Sequence, residues 1–148
     1  MSFQPTDPYY EKRVRASFGR QPFMDLLGAQ LLTVRPGLCE IILPYKKELS
    51  QQHGFFHAGT IVDKAAGYAA YSLMDADASI LTVEFKLNLL APGNGTLLTA
   101  RGQVIKAGRQ LSVCRSDVFV RRDGEEQQCA VALVTLIQLV GRPDSPPS

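Results

Sequence analysis

Residues 51–70 read QQHGFFHAGTIVDKAAGYAA. The stretch holds both histidines of the chain, His53 and His57. A turn bearing Gly54 and the pair Phe55–Phe56 leads into a run of small residues, and one acid, Asp63, sits inside that run. From about residue 58 to 74 Ala, Ile, Val, Leu and Met dominate without a proline, which predicts a helix. Gly59, Ala66, Ala69 and Ala70 keep it slender. A helix that is apolar nearly all round must be covered nearly all round.

The rest of the chain supplies the cover. Downstream the pattern turns to period two: Leu81, Val83, Phe85, Leu87 and Leu89 alternate with Thr82, Glu84, Lys86 and Asn88. PGNG, AG and DG then mark turns between further strand-like runs, Asp-Gly being a strong hairpin signal. Four strands in a meander are expected there. Upstream, Pro36-Gly37 closes a hairpin between two apolar runs. Residues 1–28 form a helical segment, with Asp7 as cap and Pro8 at the first position, then a short turn of helix closed by Gly28. Strands gathered about one helix give an α+β layer, one antiparallel sheet curled about a long central helix. Any part of the helix left open needs a second subunit. One domain over residues 1–140 is expected, with a disordered Pro- and Ser-rich tail over 141–148.

Composition narrows the function classes. Of 148 residues 45% are hydrophobic and 20% charged, with a formal net charge of +2, too small to argue for nucleic acid. No apolar run approaches a membrane span, and the N-terminus lacks a secretion signal, so a cytoplasmic protein is expected. Cys39, Cys114 and Cys129 are widely spaced, without metal-ligand spacing, and read as buried free thiols. Neither a metal nor a cofactor is expected.

The order of elements, with GFFHAG leading into the central helix, resembles the hotdog fold. Gln51, Gly54, HAG at 57–59, DKAAG at 63–67, LTVEFKLNLLAP at 81–92 and KAGR at 106–109 look like the acyl-CoA thioesterases of the phenylacetate-pathway type. The resemblance covers roughly residues 20–140. It implies a thioesterase acting on an aromatic or medium-chain acyl-CoA. The Gly59 amide at the corner begun by His57 would bind the thioester carbonyl, Asp63 would act on water or as nucleophile, and Gln51 would orient the water. It implies two sites per homodimer, at the subunit interface, with dimers pairing again into tetramers. The spacing departs from the family in one respect: the acid usually stands about three residues farther from the histidine. Counted from His57 that position is Ala66; counted back from AAGYAA it is Asp63. Three residues amount to about 4.5 Å of rise and a swing of roughly 60°, so either the helix begins later or amide and acid face different ways.

The physics of the reaction agrees with this assignment. Amides at a helix N-terminus lack intrahelical partners and carry partial positive charge. Hydrolysis develops negative charge on the carbonyl oxygen, and a fixed donor aimed at it stabilises the transition state by roughly 3 kcal/mol. Asp63 is the only acid between Glu48 and Asp75.

Each site residue also has a plain structural reading. Asp63 can be a helix acid facing solvent, paired with Lys64 or Lys47. His57 can be a structural corner histidine that hydrogen-bonds the backbone, and His53 a surface loop histidine. Physics does not choose between Gln51 and Gln52. Lys106 and Arg109 would contact the coenzyme A phosphates or simply be solvated. Phe55 and Phe56 would wall an acyl pocket or plug the core, and Gly54 and Asn88 would meet ligand or only water. Two other functions share the fold: acyl-CoA binding without turnover, favoured by the shortened spacing, and hydratase or dehydratase chemistry by a histidine base.

Overall fold

Strands form where apolar residues recur at period two. In the computed structural model, which describes residues 2–142 and 144–146, these are β1 (Gln30–Arg35), β2 (Leu38–Pro44), β3 (Ser79–Leu89), β4 (Leu97–Ala107), β5 (Leu111–Arg122) and β6 (Glu125–Leu139). Cys39, Ile41 and Leu43 of β2 are fully buried, while their alternates Glu40 and Ile42 are half-exposed. Gly37 takes a φ of 76° after Pro36, and Asp123 and Gly124 take φ of 51° and 81° between β5 and β6, as a two-residue hairpin turn requires.

The six strands form one antiparallel sheet in the order β1-β2-β4-β5-β6-β3. This corrects the four-strand meander. Of the last four strands only β4, β5 and β6 pair in sequence; β3 crosses to the far edge and pairs with β6. Thus PGNG joins distant strands rather than closing a hairpin. Local alternation cannot foresee this, because pairing order depends on long-range packing.

The central helix, α3, spans Val62–Tyr71, shorter than the expected 58–74. It touches all six strands, so the sheet curls about it. Val62, Ala65, Ala66 and the run Tyr68–Tyr71 are buried. Gly102 of β4 permits the closest approach: a Cβ there would stand 2.1 Å from the Ala65 carbonyl oxygen.

At the N-terminus, α1 (Tyr10–Gly19) starts two residues later than Asp7 and Pro8 suggested. Asp7 instead holds the turn before it, accepting from the Tyr9 amide at 2.8 Å. Arg13 of α1 pairs with Asp7 at 2.8 Å and donates to the Met74 and Tyr71 carbonyls, at 2.8 and 3.2 Å, tying α1 to the end of α3. Then α2 (Pro22–Leu27) ends at Gly28, whose φ of 75° suits a helix C-cap. The expected disordered tail falls partly on 143, 147 and 148, which lie outside the described residues. Of the others, Asp144 pairs with Arg20 at 2.9 Å.

The edge strand β3 is unlike the rest. Leu81, Val83, Phe85 and Leu89 are each about half or more exposed, and the strand's second edge has no partner among the described residues. An apolar, unpaired edge invites another strand.

Candidate active site

The segment before α3 is braced at several points. Gly54, at a φ of 80°, donates its amide to the Gln51 carbonyl at 2.9 Å. Gln51 donates its own amide to the Phe55 carbonyl at 2.8 Å, and its side-chain oxygen accepts from the His53 amide. Phe56 is buried against Tyr45, edge to face at 5.2 Å, and its amide donates to Gly93 at 2.9 Å. Of the two phenylalanines, then, Phe56 enters the core and Phe55 stays half-buried.

From His57 the chain makes a turn rather than a helix. The His57 carbonyl accepts from both the Thr60 amide at 3.2 Å and the Thr60 hydroxyl at 2.6 Å. These two hydrogen bonds from Thr60 close a tight turn where an α-helix would have reached to Ile61, and the helix begins only at Val62. The Gly59 amide has no hydrogen-bond partner among the described residues. Gly59 is exposed and lies against β3, where a Cβ would stand 3.1 Å from Leu87. Gln51, Phe56, His57 and Gly59 line one groove of about 660 Å³, floored by Leu87 and Leu89.

Asp63 occupies the first turn of α3, where a negative charge suits the helix dipole. Its side chain is 21% exposed. The Thr82 hydroxyl donates to Oδ1 at 2.6 Å, and the Lys64 ammonium stands 3.2 Å from Oδ2. It lines a separate cavity of about 130 Å³ with Gly67, Tyr68, Thr82 and Leu136. Within one chain, therefore, the acid and the free amide do not share a cavity. They lie at two stations along β3, Asp63 at Thr82 and Gly59 at Leu87. Five strand residues separate these stations by roughly 16 Å.

The remaining expected residues stand apart from both cavities. Asn88 is exposed on β3, and Gly54 does not reach the groove. Lys106 and Arg109 are exposed around the β4–β5 turn and form no ion pair among the described residues. His53 is exposed beside Phe55. Sequence reasoning missed Thr82, whose only signal was its place on the polar face of β3. It also missed a buried set around Tyr68, whose hydroxyl meets Ser17 at 3.2 Å and accepts from the Gln21 amide group at 2.5 Å. Burial pushes the Tyr68 phenol up to about 12, against the pull of these two bonds, so it stays neutral.

Residues 53–127, just over half of the chain, match the family model described as the thioesterase superfamily. The chain is 48% identical to a thioesterase family protein from Silicibacter pomeroyi, the match covering 89% of this chain and 99% of that one at a TM-score of 0.87. The PaaI protein from the Escherichia coli phenylacetic acid degradation operon is 18% identical, with 90% and 96% covered and a TM-score of 0.80, a likeness of fold. An esterase-named protein of Saccharolobus solfataricus is 29% identical over 67% of this chain and 71% of its own.

Proposed function

We infer the function from one premise: this chain belongs to the thioesterase superfamily, with the hotdog fold of PaaI. It is a thioester hydrolase of the acyl-CoA class. We read its substrate as an aromatic or medium-chain acyl-CoA, and its site as one shared between two subunits.

The observation that carries this reading is the pair of stations on β3. A two-fold axis crossing the open edge near Phe85 would pair β3 with the same strand of a second copy, antiparallel. The Leu87 end of one strand then lies beside the Thr82 end of the other. That arrangement would bring Asp63 of the partner subunit to the Gly59 amide, which has no partner among the described residues of its own chain. It also covers Leu81, Val83 and Phe85, which a lone chain leaves in water. Two such sites form per dimer.

In this site the thioester carbonyl lies in the groove beside Gly59, its oxygen on the free amide. Asp63 takes a proton from a water while the water oxygen bonds to the carbonyl carbon. The tetrahedral oxyanion is held by the Gly59 amide, a fixed donor worth roughly 3 kcal/mol in a dry site. Collapse breaks the carbon–sulfur bond, and the departing thiolate takes the proton that Asp63 removed from the water, giving free acid and coenzyme A and restoring the carboxylate. Gln51 lines the same groove, and in this reading its side-chain NH2, left free while its oxygen accepts from the His53 amide, orients the water. The His57 carbonyl is engaged by Thr60 and its amide donates to the Leu49 carbonyl, so its role is to shape the corner.

The test is release of coenzyme A thiol from phenylacetyl-CoA and hexanoyl-CoA by the purified protein. Turnover supports the hydrolase. Micromolar binding in calorimetry without thiol release would favour a non-catalytic acyl-CoA binder, for which the engagement of Asp63 by Lys64 and Thr82 speaks.

A further inference from the structure

The cavity at Asp63 is small and adjoins a larger groove. Its volume is about 130 Å³, and its lining is mixed: Ile80, Leu81 and Leu136 supply apolar surface beside the polar Ser17, Gln21, Lys64 and Thr82. Beyond it opens a groove of about 850 Å³ leading past Arg20 and Leu139. The two spaces share Ser17, Gln21, Ile80, Leu81 and Asp144 as lining. Ile80 and Leu81 run along both as the β3 wall. Gln21, just before α2, is held in place by its bond to the Tyr68 hydroxyl, 2.5 Å away. Ser17 braces the same hydroxyl from α1 at 3.2 Å.

We propose that Gln21 sets the upper length of the acyl group, by closing the far end of the cavity that begins at Asp63. The inference rests on Asp63 being the hydrolytic base: an acyl carbonyl beside that carboxylate sends its chain into this cavity. An apolar cavity of about 150 Å³ admits benzene. By volume alone the space here, slightly smaller, takes about one ring or a chain of five or six carbons. Each buried methylene strengthens binding about fourfold, so selectivity rises with length up to the Gln21 wall and falls beyond it. Truncating Gln21 joins the cavity to the larger groove. Gly67 offers the opposite change, because it lines the cavity and a Cβ there meets only Leu136, at 3.8 Å, an ordinary contact.

The experiment compares kcat/KM for straight-chain acyl-CoAs of two to twelve carbons. Wild type is expected to peak near six carbons. Gln21→Ala is expected to raise the ratio of the ten-carbon to the four-carbon value at least tenfold, while Gln21→Met, which keeps the bulk, leaves that ratio within about threefold. Gly67→Ala moves the peak down by one or two carbons. An unchanged ratio in Gln21→Ala overturns the proposal while leaving the hydrolase reading intact. If wild type hydrolyses none of the series, the hydrolase reading fails. Calorimetric affinities for S-alkyl-CoA thioethers of the same lengths then read the ruler directly, and the same ratio in wild type and Gln21→Ala overturns it.

Discussion

Asp63 is held by neighbours of two kinds, the Thr82 hydroxyl at 2.6 Å and the Lys64 ammonium at 3.2 Å. Both orient the carboxylate, and an Asn in its place can offer its oxygen to Lys64 while its NH2 donates to the Thr82 hydroxyl, which can also accept. Asp63→Asn is therefore expected to keep the fold, with a melting temperature within a few degrees of wild type. It is expected to lower kcat by at least about a hundredfold, the loss typical of a missing general base. Steady-state assay and thermal melting check both halves; unchanged turnover removes Asp63 from the chemistry. The acid itself was legible in the sequence, as the lone carboxylate of an apolar segment. Thr82, 19 residues away, was not, because which strand meets the helix start depends on the crossing of β3 to the sheet edge. The three thiols read as buried are buried, and burial pushes Cys39 and Cys114 up to about 12, so they stay protonated and unreactive.

At the scale of elements, the central helix depends on its two ends. Its start is displaced by the Thr60–His57 turn, a local competition between bonding patterns that composition does not reveal. Its end is gripped by Arg13, which also lies over the Tyr71 ring at 4.3 Å and is neutralised by buried Asp7. Burial pushes the Asp7 carboxyl upward, but the Tyr9 amide and Arg13 outweigh it and hold it below the ordinary carboxylate value. A depressed carboxyl stabilises the fold above its unfolded pKa of about 3.9 and loses that contribution as pH falls through the folded value. Asp7→Asn is thus expected to be less stable than wild type at pH 7 by about 2 kcal/mol or more, since it strands a largely buried guanidinium. The gap should narrow as pH falls below 4. Urea midpoints at pH 7 and pH 3 test this; a gap that widens in acid contradicts it. The hairpin at Pro36-Gly37 and the turn at Asp123-Gly124 were legible because their chemistry is local, whereas the β3–β6 pairing was not.

At the scale of the whole molecule, the curled sheet leaves one edge unfinished. The apolar alternation of β3 promised a buried strand, and the single chain leaves Phe85 48% exposed. That mismatch is the part of the sequence pattern that one chain cannot satisfy. In the proposed dimer a second copy on the β3 edge would satisfy it and complete the site. Phe85→Lys is expected to shift the protein to monomer in sedimentation velocity and to abolish turnover together with the dimer. A fully active monomer would show that each chain is complete alone.

The most direct measurement mixes two inactive variants. Asp63→Asn lacks the base, and Gly59→Val fills the space before the free amide while keeping its own Asp63. Each alone should retain below about one per cent of activity. Unfolded together, refolded and assayed, half of the dimers are mixed, and each mixed dimer holds one intact site drawn from both chains. The expected activity is about one quarter of wild type. No recovery, with mixed dimers shown to be present, would mean that amide and acid act within a single chain, and would contradict the shared site.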